Sequence, residues 1–264
     1  MKRLLFSDFL FPFVLFWLIL KAVLPAVFER WAVVSASALG LISGVILCLW
    51  VVLILVIVGS VERPTLFYAF LTLASLAPFL PADFFPPIPE AFLDLFRWGL
   101  IVGVTGWVGR SMTREMILLP LTLVAITLDV FAFLRGLYPR LPQMPVFAPF
   151  LLPLPEIAAP APASPFTPFL LYTDLFFIGY FFICCYELGL NRFWNAVLLF
   201  IVTSGALFVP ASFGLRLPVL PFIGLFFLAG NWRNLKFHKD EIGVSFAFFA
   251  AMFILLGIMM LTGR

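Results

Sequence analysis

Apolar residues follow one another along this chain in long runs, broken by small clusters of charge and proline. A helix needs about 20 apolar residues to cross the hydrocarbon core of a bilayer. Cutting the chain at its charges and proline clusters predicts nine spans, at 4–28, 31–59, 64–80, 91–109, 115–134, 167–187, 193–210, 217–231 and 242–262. The first contains Lys21 and Pro25, and the third runs into a proline-rich stretch at 78–89. Only one connection is long. Residues 135–166 carry Pro139, Pro142, Pro145, Pro149, Pro153, Pro155, Pro160, Pro162 and Pro165 and few polar groups. Prolines at that density exclude a helix interior and favour extended chain, so an apolar strand packed on the bundle or at the membrane surface, or a mobile lid, is expected there.

Composition points the same way. Of 264 residues 64% are hydrophobic and 11% charged, with a mean hydropathy of +1.18. An ordinary soluble domain devotes about a quarter of its residues to charge. The expected class is an all-α polytopic membrane protein, integral and multi-pass, with the lipid bilayer as its surroundings. The net charge of +3 is not gathered into a basic arm, so a nucleic-acid partner is not expected. Cys48, Cys184 and Cys185 fall inside apolar runs and read as small hydrophobes. Lys2 and Arg3 precede an apolar run that continues without a small-residue cleavage site, which reads as a first membrane helix rather than a signal peptide. Gly40 and Gly44 form one small-xxx-small pair.

Most of the thirteen acidic residues have a basic neighbour or a span end close by. Glu29, Glu62 and Glu115 adjoin Arg30, Arg63 and Arg114, while Asp94 has Arg97 three residues on. Asp129 and Asp174 are different, each flanked by membrane-grade sequence. An acid inside a membrane helix costs about 2.5–3.5 kcal/mol on insertion scales, so a compensating role is expected. Asp129 stands six residues before Arg135 and Asp174 six after Pro168. At 1.5 Å per residue, each lies about 9 Å below the same membrane face. If the two spans pack directly as antiparallel neighbours, the carboxyls meet. Two carboxyls in low dielectric share one proton and titrate as a pair, which is the arrangement that activates water in aspartic proteases. The plainer alternative is that each Asp caps a broken helix or bonds a hydroxyl on a neighbouring span.

The eighth span begins on the same face with Pro218-Val219-Leu220-Pro221. Two prolines remove two backbone donors and leave the neighbouring amides and carbonyls to pair elsewhere at membrane depth. Pro218 also fits an ordinary first-turn proline.

These three features together resemble the presenilin and signal peptide peptidase family of intramembrane aspartyl proteases, over about residues 118–231. Leu128-Asp129-Val130-Phe131 is similar to that family's Tyr-Asp helix, Asp174-Leu175-Phe176-Phe177 to its Gly-x-Gly-Asp helix, and Pro218-Val219-Leu220-Pro221 to its Pro-Ala-Leu motif. Leu128 stands in place of the Tyr, Leu171 and Thr173 in place of the two glycines, and Val219 in place of the Ala. The family's proline motif opens its last helix, whereas here another span follows. The resemblance implies Asp129 and Asp174 as the catalytic pair. It implies that Pro218, Val219, Leu220 and Pro221, with Tyr172 and Thr173 beside the second aspartate, hold an unwound transmembrane peptide or protein substrate as an added strand. It implies no metal and no cofactor.

The domain organisation that follows is one transmembrane unit over 1–264. It has amino-terminal helices in 1–110, a candidate catalytic core at 115–231 that includes the proline-rich loop, and an additional carboxy-terminal helix at 242–262. His238 is the single histidine, which excludes a His-Glu-x-x-His zinc site and a Ser–His pair. Arg110, Arg114, Arg192, Arg233, Lys236 and Lys239 fall on the face opposite the aspartates, against Arg135, Arg140 and Arg216 on theirs. Positive-inside bias therefore puts the aspartate-bearing face extracytoplasmic. Two other functions suit the same residues: a proton-coupled transporter that loads and unloads these aspartates, and a non-catalytic relative that binds membrane helices.

Overall fold

The computed structural model describes residues 12, 15–16, 19, 23, 46, 49, 51–56, 58, 64–76, 90–112, 115–137, 151–153, 169–213, 218–237 and 239–261. Within them the chain forms a helical bundle. Helix α1 spans Thr65–Leu76, and α2 spans Glu90–Val104 and passes into a π-helical turn, Thr105–Gly109. Then follow α3 (Glu115–Leu134), α4 (Tyr172–Glu187), α5 (Arg192–Phe213), α6 (Val219–Asn231) and α7 (Lys239–Leu261). Residues 51–56 are helical as well. Between α3 and α4, strand β1 (Leu151–Pro153) pairs antiparallel with β2 (Phe169–Leu171), Leu151 opposite Leu171 and Pro153 opposite Phe169.

The spans expected at 115–134, 193–210, 217–231 and 242–262 correspond to α3, α5, α6 and α7 within a few residues. The one at 167–187 is corrected. Its first part is strand, because the amides and carbonyls of Phe169–Leu171 are paired across the ladder with β1 instead of up a helix, and the helix starts at Tyr172. The class is thus helical with one short ladder. Among the described residues, one helix is long and apolar enough to cross a membrane, over Ile117–Leu134. Thr65–Leu76, Arg192–Gly205, Val219–Asn231 and Ile242–Ile258 are apolar but shorter. The pair Gly40 and Gly44 and most of the first two expected spans lie outside the described residues.

Two glycines end helices by taking a backbone conformation that other residues resist. Gly136 (φ 61°) closes α3: the Leu137 N–H donates to the Ala132 carbonyl and the Gly136 N–H to that of Phe133, the paired bonds of a Schellman cap. Gly189 (φ 67°) does the same after α4, where the Leu190 N–H donates to the Cys185 carbonyl. The next helix starts at once, because the Asn191 side-chain oxygen accepts the Trp194 N–H as an N-cap. So tight a reversal makes α4 and α5 antiparallel neighbours.

Helices α1 and α2 approach along a stripe of glycines. A Cβ on Gly99 would strike Ser75, one on Gly106 the Tyr68 ring, and one on Gly103 would stand 2.8 Å from the Thr72 backbone nitrogen. As the α2 number rises the α1 number falls, so the two run antiparallel. Small residues on one helix let the two backbones approach closely. Trp98, Tyr68, Tyr180, Phe181, Phe182 and Phe227 fill the interior and are fully buried.

Helices α5 and α6 are fastened at one end by a reciprocal amide pair. Asn195 Nδ2 donates to Asn231 Oδ1 (3.1 Å) and Asn231 Nδ2 to Asn195 Oδ1 (2.6 Å), both residues being buried. Asn231→Leu alone leaves a buried amide short of a partner and is expected to cost about 1–3 kcal/mol. The double variant with Asn195→Leu should recover most of that, as read from unfolding midpoints in detergent.

Candidate active site

Asp129 lies five residues before the end of α3 and is 6% exposed. Its Oδ2 accepts the Leu220 N–H at 3.0 Å. The bond follows from the local sequence of α6. Pro218 is extended (φ −66°, ψ 127°) and offers no side-chain cap, and Val219 and Leu220 are the first helical residues. Their amides have no acceptor within the helix, as at any helix start. Pro221 has no N–H to donate. A carboxylate from a neighbouring helix takes the place of a cap residue, where the positive end of the α6 dipole also favours it.

The same face of α6 holds α3 one turn further in. A Cβ on Gly224 would meet Thr122 Cγ2 at 2.8 Å and Ile126 Cδ1 at 3.1 Å. Ascending α6 from Leu220 to Gly224 thus descends α3 from Asp129 through Ile126 towards Thr122, and the two helices are antiparallel.

Asp174 is in the first turn of α4, directly after β2, and is 3% exposed. Helix α4 meets α6 through Phe181 and Phe227, whose rings stack with centroids 4.2 Å apart. The two helices are parallel, because α5 runs antiparallel to α4 and its Asn195 end meets the Asn231 end of α6. Phe181 follows Asp174 by seven residues, as Phe227 follows Leu220. Seven residues are two helical turns, so each pair shares a face of its helix. Asp174 therefore shares the Phe181 face of α4 two turns nearer its start, as Leu220 shares the Phe227 face of α6.

Asp129 is thus bonded to the opening turn of α6, and Asp174 belongs to a helix that packs on α6. This changes one expectation. The contacts of α3 are chiefly with α6 and α7, while those of α4 are with the π turn, α5 and α6. The helices of Asp129 and Asp174 are related through α6, which both share, more than by packing along each other. Of the other residues singled out in the sequence, Leu220 is buried, while Pro218, Val219 and Pro221 are half-buried around it. Thr173 is exposed beside Asp174, and Tyr172 is the residue at which β2 gives way to α4. Among the described residues, no group of three or more His, Cys, Asp or Glu side chains is placed to hold a metal ion.

No family model, curated protein or solved structure matches this chain. The site therefore stands on its own geometry. Two features of the packing went unread in the sequence. The stripe Gly99, Gly103, Gly106 repeats at helical spacing and was a readable signal for close packing, whereas the Leu220 amide as the partner of Asp129 is a backbone property that no residue type announces.

At the other end of the bundle, Arg110 pairs with Glu187 at 3.0 Å, and the Arg192 guanidinium lies 3.9 Å from the centre of the Tyr186 ring. Trp194 and Trp232 are exposed there.

Proposed function

We propose that this chain is a multi-pass intramembrane aspartyl protease, of about nine membrane helices, that hydrolyses peptide bonds within membrane-spanning segments. The observation that supports it is the Asp129 carboxyl buried against the Leu220 N–H at the proline-flanked start of α6, with Asp174 buried in the first turn of α4, a helix that packs on the same α6. Asp129 and Asp174 share one proton between them. The ionised member takes a proton from water as the water oxygen bonds to the peptide carbonyl carbon, and the protonated member gives its proton to the carbonyl oxygen. The resulting tetrahedral intermediate collapses. Its C–N bond breaks, the nitrogen gains a proton from the pair, and a carboxylic acid and an amine leave. Pro218, Val219, Leu220 and Pro221, with Tyr172 and Thr173, line the place where an unwound transmembrane substrate lies extended. The extracytoplasmic face carries the aspartates, and the Arg- and Trp-bearing end faces the cytoplasm.

The test is a cleavage assay on the purified protein in bicelles, with a labelled single-span peptide as substrate. Defined fragments are expected, suppressed by a hydroxyl-bearing transition-state mimic of aspartic proteolysis. Intact peptide after prolonged incubation, with or without the mimic, overturns the reading. One observation favours a second reading, a non-catalytic binder of membrane helices: the Leu220 bond to Asp129 is also what a purely structural cap requires. Under that reading, labelled peptide is retained but stays whole.

A further inference from the structure

Two further charged side chains are buried at the aspartate end of the bundle. Asp94 is fully buried and Arg97 is 7% exposed, and Arg97 Nη1 donates to Asp94 Oδ1 at 2.7 Å. A buried ion pair is weak evidence for stability, because desolvation offsets the attraction, and its best-attested use is to fix register. The question is what this pair fixes.

Its place follows from the packing of α2 and the π turn on α4. A Cβ on Gly179 would stand 2.5 Å from Thr105 Cγ2, and one on Gly109 would stand 3.0 Å from Ile183 Cδ1. Both contacts have the same sequence spacing, so these helices run parallel. Stepping back from Thr105 by helical intervals gives Ile101, Trp98 and Asp94 on one face, all buried. By the same spacing Ile101 is level with Leu175 and Trp98 with Tyr172. Asp94 stands one turn higher, at the height of β2. The ladder rests on this helix, since β1 packs against α2. Strand β2 then runs without a break into the turn that carries Asp174.

We infer that Asp94 and Arg97 are positioning residues for Asp174: their ion pair seats the β1–β2 ladder on α2, and the ladder sets where the first turn of α4 begins. The catalytic part of this inference rests on the protease reading above, but the structural part does not.

The experiment has two readouts. The first is a ladder reporter in which Leu151→Cys and Leu171→Cys, opposite each other in register, are oxidised to a disulfide in a background with Cys48, Cys184 and Cys185 changed to Ala. Asp94→Asn and Arg97→Gln are each expected to lower the cross-linked fraction fivefold or more. Arg97→Lys, which keeps the charge, is expected to stay within twofold of the parent. The second readout is cleavage in the native-cysteine protein. There kcat should fall tenfold or more in the neutral variants with KM within twofold, and Arg97→Lys should recover most of the loss. A cross-link that is unchanged in both neutral variants overturns the inference. So does a loss of cleavage confined to KM. Should the neutral variants not yield folded protein, Arg97→Lys decides, because a fivefold loss of its cross-link is the contrary result. If the neutral variants lose the cross-link but the parent never cleaves, the protease reading fails while the seating role stands; if the parent cleaves and the cross-link ignores the ion pair, the reverse holds.

Discussion

Asp129→Asn is expected to reduce cleavage by about 10²–10⁴-fold, the usual worth of a positioned acid–base group, while leaving the fold intact. An asparagine oxygen still accepts the Leu220 N–H, so the start of α6 keeps its cap. What it loses is the capacity to take and return a proton. Asp129→Ala supplies the contrast. It removes the acceptor, orphans the Leu220 amide in a buried setting, and should cost about 1–3 kcal/mol of stability besides the activity. Asp174→Asn should match Asp129→Asn in activity, because a pair that shares a proton fails when either member cannot ionise. Cleavage of a single-span peptide and unfolding midpoints in detergent read the two effects separately. If Asp129→Asn cleaves normally while Asp129→Ala is merely unstable, the carboxylate is a cap and the enzymatic reading is wrong.

Gly103→Leu is expected to part α1 from α2. A side chain at that position meets the Thr72 backbone, which cannot rotate away as a flexible side chain does. Overpacking a close contact costs about 1–3 kcal/mol, and here the upper end of that range is expected. Thr72→Gly should rescue it only in part, because the Thr72 backbone nitrogen remains 2.8 Å from the new Cβ. Gly205→Ala in α5 is the control. Nothing lies within 4 Å of its added Cβ, and replacing Gly by Ala in a helix should be neutral or stabilising by up to about 1 kcal/mol. Equal losses at positions 103 and 205 in thermal unfolding would show that the glycine stripe is not the seam between the helices.

What was readable in the sequence was whatever depends on local composition. Runs of apolar residues marked α3, α5, α6 and α7, Pro218 marked where α6 begins, and the apolar sequence around Asp129 and Asp174 marked two acids that are buried. Asp94 beside Arg97 was readable as a local pair, and the two bond. What escaped depends on partners far along the chain. Residues 169–171 read as membrane helix because they are apolar, and only pairing with Leu151–Pro153 makes them a strand. Consecutive spans were expected to pack on each other, yet α6 is the element that α3 and α4 share. Likewise, neither Asn195 nor Asn231 signals from its own surroundings that the other will satisfy it.

That amide clasp bears on how α6 can move. At its Asn231 end the helix is tied to α5 by two side-chain bonds, and midway it is stacked on α4 through Phe227. At its Leu220 end the N–H bond to Asp129 and, one turn on, the close approach of Gly224 to Thr122 and Ile126 hold it to α3. Each level of α6 is therefore gripped by a different neighbour. Displacing the Leu220 end means parting Gly224 from α3 as well as breaking the Asp129 bond, while the Asn195–Asn231 clasp at the far end can stay closed.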